Sequence, residues 1–182
     1  MILDGQLCFT GGTALPNGGP TVAQAITATA TSTNIIDLHM AGIPVLAANQ
    51  GARDMGIGDD PALKLLVVVT TAFAGGTSLA LALQGATDNG SGAPAAFSTW
   101  WTGPAVALAT LTAGARLYDM DMPRPPAGIA VPRFLQLNYG IVGTMTGGTI
   151  KGFIVLDRHD LMYNATNNAI HGGYPPGVII NN

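Results

Sequence analysis

The chain has 182 residues, enough for one domain with a sizeable core. Hydrophobic residues make up 48 % and charged residues 9 %, against about 25 % charged in an average soluble domain. Every acidic residue is Asp and the net charge is −3, which excludes a basic footprint for nucleic acid, a polybasic membrane patch and a disordered chain; the lack of Glu beside 25 Gly excludes a protein of long solvated helices.

The punctuation along the chain is Gly, Pro and Asn at the spacing of an all-β fold. Gly11-Gly12, Asn17-Gly18, Gly75-Gly76, Asn89-Gly90 and Gly147-Gly148 read as turns. Thr21–Ser32 puts Thr27, Thr29 and Thr31 on one parity and Ile26, Ala28 and Ala30 on the other. That is period 2, a strand with a polar and an apolar face, continued by Asn34–His39. Met40–Pro61 is a long irregular stretch. Leu63–Phe73 is a strongly β run that turns at Ala74–Thr77 into Ser78–Gln84, where Leu79, Leu81 and Leu83 alternate with Ala and Gln. This pair reads as the clearest hairpin in the sequence.

Ala93–Trp101 and Ala105–Thr112 are weaker strands, and Arg116–Met122 alternates again. Trp100 and Trp101 are neighbours, so a regular strand turns one inward and leaves the other for an interface or a sugar platform. Pro123–Pro132 holds too many prolines for a central strand. Arg133–Val142 and Thr149–Leu156 form a second hairpin across Gly143–Gly148, and Tyr163–Asn182 reads as an extended tail. The expected architecture is a jelly-roll-like two-sheet β-sandwich with extended N- and C-terminal arms. Its expected boundaries are an N-terminal arm over 1–20, a body over 21–160 and a C-terminal arm over 161–182.

Chemistry finds little footing. No Gly-x-Ser-x-Gly elbow accompanies His39, His159 or His171. The lone Cys8 has apolar neighbours that suit a buried, inert thiol. A cupin-type metal site needs a His-x-His pair and a Glu, and neither is present. Asp119 with Asp121, or Asp54 with Asp59 or Asp60, could form a glycosidase pair; a solvated strand edge explains the first pair as well. Arg53, Asp54, Gly56, Gly58, Asp59 and Asp60 make a tight structural loop with Asp capping backbone amides, and calcium is its alternative. No Gly-Lys-Ser/Thr ending marks a phosphate loop. The expectation is no catalytic residue, no metal and no cofactor. The aliphatic run Leu65–Val69 is far shorter than the roughly 20 residues of a membrane span, and no signal peptide is visible. Seven basic and ten acidic side chains, spread over about 8,000 Å² for a monomer of this mass, suggest that part of the surface is covered by other protein.

The order of segments carries a resemblance. Thr33-Asn34-Ile35-Ile36-Asp37-Leu38 precedes Arg53-Asp54-Met55-Gly56-Ile57-Gly58-Asp59-Asp60. Farther on come Leu117-Tyr118, a Pro-rich link, Arg133-Phe134-Leu135-Gln136-Leu137-Asn138-Tyr139, and Val155-Leu156-Asp157-Arg158. Over residues 30–164 the chain resembles the capsid cement proteins of tailed bacteriophages, the family typified by the Bordetella phage cement protein. The resemblance implies a jelly-roll body on the outer capsid surface of a virion. It further implies binding to a shell made of a major capsid protein and self-association as a homodimer or trimer, with no enzyme activity and no cofactor. Interface residues are then Trp100, Trp101, Tyr163, Ile170, Tyr174 and Ile179. The rival function is a lectin-like carbohydrate-binding module on a virion, built on Trp100 or Trp101.

Overall fold

The computed structural model describes residues 7–11, 23–38, 63–129 and 132–155, and the backbone of 161–164 and 169–172. The described chain is β-sheet with one 3-10 turn at Leu108–Thr110. The strands are β1 (Gln24–Ala25), β2 (Ala30–Thr31), β3 (Ile36–Asp37), β4 (Lys64–Gly75), β5 (Ser78–Ala86), β6 (Ser98–Thr102) and β7 (Val106–Ala107). They continue with β8 (Arg116–Asp121), β9 (Phe134–Val142), β10 (Met145–Val155), β11 (Leu161–Asn164) and β12 (Ala169–Gly172). Two antiparallel sheets form the sandwich. Sheet A has the order β1-β10-β4-β8; sheet B has the order β2-β9-β5-β6, with β3 added to β9 and β7 to β5.

Both expected hairpins need correcting. β4 and β5 are joined by a tight Gly turn, yet β4 lies in sheet A and β5 in sheet B. β9 and β10 are divided in the same way. The ladders run between the two units: β4 pairs with β10, and β5 pairs with β9. The molecule is therefore a long antiparallel ribbon, one side β4–β5 and the other β9–β10, folded over on itself at one end. The register carries across the fold, from Gly75↔Met145 to Ser78↔Val142, with Thr77 N–H donating to the Val142 carbonyl at 2.7 Å. Such a bend brings backbone against backbone, so the corner is glycine. A Cβ on Gly143, at φ +85°, would sit 2.9 Å from the Gly76 Cα, and one on Gly75 would sit 2.6 Å from the Thr144 carbonyl oxygen.

Gly147-Gly148 is not the turn the sequence suggests. Both residues lie inside β10, where the register against β4 shifts three times between Met145 and Ile150. A Cβ on Gly148 would enter the ring of buried Phe73. These glycines mark bulges and a close approach instead of a chain reversal.

The period-2 stretch from Thr21 is also not one strand. It spends β1 on the edge of sheet A, crosses, and spends β2 on the edge of sheet B. Ile26 fills the crossing and is fully buried. Gln24 pins it: its amide donates to the Thr31 carbonyl at 2.7 Å and accepts from Thr33 N–H at 2.9 Å. The polar parity has a use here. Ser32 and Thr29 hydroxyls accept the edge N–H groups of Leu137 and Ile141, each at 3.1 Å, so these β9 donors, the first of them buried, are satisfied without a full ladder. Of the expected N-terminal arm, Leu7–Gly11 pack into the body: Cys8 bridges to Phe153, and Phe9 and Thr10 are fully buried.

β4 explains its unbroken Leu65–Val69 run by burial on both faces. Leu65, Val67 and Val69 enter the main core with Leu79, Leu81, Leu83, Leu135, Leu137, Tyr139, Ile150 and Ile154. Leu66 and Val68 join Cys8, Phe153 and Val155 in a second cluster on the outer face of sheet A. The outer face of sheet B carries a row of uncharged polar side chains: Gln136 donates to Gln84 at 2.7 Å, and Gln84 donates to Thr99 at 3.1 Å.

Candidate interaction surface

The two ends of the sandwich differ in charge. The corner end comprises residues 70–78, 104–114 and 140–150, and none of them is ionisable. Val142 is 58 % exposed there. The opposite end gathers the ion pairs. Arg133, just before β9, forks onto Asp37 of β3 with Nε and Nη2 both at 2.9 Å. Its Nη1 reaches Asp88, which follows β5, and its guanidinium lies 4.8 Å over the Phe134 ring. The Asp37 hydrogen bond is the main reason the guanidinium holds its proton even more firmly than usual. Asp88 also accepts Gly90 and Gly92 N–H at 2.7 and 3.0 Å, and the Gly90 bond leads in holding its carboxyl below the ordinary value. Lys64 pairs with Asp121 across the β4–β8 ladder.

The four sheet edges are guarded unequally. The β9 and β10 edges are strapped by residues 7–11 and 24–37. The β8 edge carries Arg116, Asp119 and Asp121, with Arg116 paired to Asp119 at 3.3 Å. The β6 edge, Ser98-Thr99-Trp100-Trp101-Thr102, has no charge and no proline, and among the described residues it pairs with β5 alone. It sits inside a longer segment, Asn89–Ala115, that holds no ionisable residue.

The tryptophans correct the expectation of opposite faces. A register shift between Leu83↔Trp101 and Gln84↔Thr99 leaves Trp100 as the extra residue of a β-bulge. Both rings consequently turn toward the core. Trp100 is 9 % exposed and lies on Gly85, where a Cβ would collide with the indole. Trp101 is half-buried and edge-to-face with Tyr118, centroids 5.3 Å apart, where it bridges the two sheets. The Tyr118 hydroxyl donates to the Pro104 carbonyl at 2.7 Å, and burial raises its pKa. Neither indole is an exposed platform for a sugar ring. A shallow cleft of about 90 Å³ beside Trp100 is walled by Ser98, Ile129 and Pro132.

The remaining expected site residues fall as follows. Tyr163 and Ile170 are cross-strand partners in the separate β11–β12 hairpin, so this part of the tail is paired and not simply extended. Tyr174, Ile179 and the Arg53, Asp54, Gly56, Gly58, Asp59 and Asp60 loop lie outside the described residues. Asp119 and Asp121 share the outer face of β8, each beside a base. Cys8 is buried, donates to the Thr10 carbonyl at 2.7 Å, and has its pKa raised by burial. Among the described residues no group of His, Cys, Asp or Glu is placed to hold a metal, and no helix is long and apolar enough to cross a membrane. The β6 edge, uncovered among the described residues, was the feature that sequence reasoning missed; the signal was the 27-residue interval from Asn89 to Ala115 without a charge.

Comparison with known proteins adds one match. The family described as Bbp16 matches residues 21–154, well over half of the chain. No curated protein matches it.

Proposed function

The chain belongs to the Bbp16 family, which marks it as a phage virion protein, and on that premise we propose that it is a capsid cement subunit. It binds the outer surface of an assembled shell, bridges neighbouring capsomers of the major capsid protein, and self-associates, as a homodimer before a trimer. It works by binding, without enzyme activity or cofactor. The family match is the observation that carries this reading. The folded-over ribbon supports it, because a body closed by long ladders keeps its shape under load. The described charges support it too: Arg133, Lys64 and Arg116 are engaged in internal ion pairs, and the surface left over is suited to contact with protein.

A subunit that binds the assembled shell but not its free capsomers stabilises the shell by mass action, by about 2.7 kcal/mol per site at a hundredfold excess over Kd. The terminal segments extend the contact, with the apolar residues Tyr163 and Ile170 of β11–β12 and Tyr174 and Ile179 beyond. The test adds purified protein to particles stripped of it and measures occupancy and the temperature of genome release. Bound particles should release later. Truncation before Tyr163 should weaken binding at least tenfold while the body stays folded. Absence of binding, or binding with no gain in heat resistance, overturns the cement reading.

A further inference from the structure

We propose that the β6 edge is where a second copy of this chain docks, two β6 strands pairing antiparallel about a two-fold axis so that sheet B runs unbroken through the dimer. This rests on the self-association in the function proposed above, and it names the surface and the contact.

An edge strand displays a row of unpaired N–H and C=O groups, and soluble proteins blunt such edges with charge, proline or a covering segment. Three of the four edges here are blunted in these ways. Among the described residues nothing covers or charges β6, and its Ser98, Thr99 and Thr102 are exposed. Gly103 N–H donates to the Leu81 carbonyl at 2.8 Å. In an antiparallel ladder the bonded positions alternate, so Thr102, opposite Ala82, directs its N–H and C=O to the open side.

The occupant follows from charge and symmetry. Each copy carries −3, so copies repel unless they meet through neutral surface, and Asn89–Ala115 is a neutral segment centred near β6. A charged or basic partner would find nothing here to pair with. Antiparallel pairing of a strand with itself is isologous and closes at two copies, so it removes the edge without starting a fibre. The bulge at Trp100 shortens the regular stretch and sets a local twist, which limits the ladder to this strand. The exposed hydroxyls of Ser98, Thr99 and Thr102 form the rim.

Native mass spectrometry and light scattering at micromolar concentration test this with the full chain, Thr102→Pro and Thr102→Lys. The proline removes an outward donor that no described residue of the monomer uses; the lysine places like charges across the two-fold. The wild type should be a dimer, and both variants should run at half its mass with an unchanged circular dichroism spectrum. Thr112→Lys, exposed but off the strand, should remain dimeric. Hydrogen exchange on the wild type gives a second readout that needs no variant: the Thr102 amide should be protected in concentrated protein and exchange at least tenfold faster on dilution. A wild-type dimer whose Thr102 amide exchanges freely, or that survives both substitutions, overturns the β6 assignment and leaves self-association standing. A monomeric wild type overturns both, while shell occupancy separately reports on the cement reading.

Discussion

The corner end and the ion-paired end close the same sandwich by different physics. At the corner, Gly75, Gly76 and Gly143 let two backbones touch, and no ionisable side chain takes part. At the other end Arg133 reaches across from β9 to β3 and to the loop after β5, joining three segments through one guanidinium. Steric closure has no tolerance, because an added atom meets backbone or a packed ring. Electrostatic closure is graded, because water competes for each partner. The first should fail abruptly on substitution; the second should weaken by degrees.

The sharpest way to break the contrast is in β10. Gly148→Ala should cost about 3 kcal/mol or more, since its Cβ would enter the Phe73 ring at φ +133°. The adjacent Gly147→Ala has open space and no positive φ, and should cost about 1 kcal/mol or less. Urea midpoints of the two variants check this. Equal midpoints would mean that the ribbon relaxes around Phe73 and that the corner is not sterically closed.

At the charged end Arg133→Met should cost about 2 kcal/mol, because it strands a half-buried Asp37 that had two charge-assisted hydrogen bonds. The loss should shrink as the pH falls below the ordinary carboxylate range, because the Asp88 carboxyl, held below its usual value first by the Gly90 N–H, is then protonated and no longer pairs with the guanidinium. Thermal melts of both proteins at pH 7 and pH 3 measure it; a pH-independent loss would assign the effect to packing over Phe134.

The smallest expected change lies between the two ends. Tyr139 is fully buried and its hydroxyl has no hydrogen-bond partner among the described residues. Burial, with a smaller contribution from Cys8, pushes its pKa far above the ordinary value. A raised folded-state pKa contributes stability that is fully present below the unfolded value, near pH 10, and is lost as the pH rises beyond it. Tyr139→Phe should therefore gain about 1 kcal/mol at pH 7, by removing an unsatisfied buried hydroxyl, and should flatten the alkaline loss above pH 10. Denaturation at pH 7 and pH 10.5 checks both parts. A loss at pH 7 would mean that the hydroxyl is bonded to buried water.

The amino-acid sequence determined where the long strands β4, β5 and β9 lie and which of their residues face the core. Alternation in Ser78–Gln84 and the apolar run Leu65–Val69 are local statements about burial, and a strand reports its own faces by period 2. It also determined the neutral surface, since a segment without charges has none to present. The resemblance led to the family, on residues such as Arg133–Tyr139, which open β9 and its approach. Only the tertiary structure decided which strands are partners. Alternation encodes a face and not a neighbour, so a tight glycine turn fits a hairpin and a sheet-to-sheet corner equally well. The choice fell to the long ladders β4–β10 and β5–β9, whose strands are far apart in the chain. The same holds for Trp100 and Trp101: a bulge is set by the register against β5, and no property of two adjacent tryptophans announces that both will turn inward.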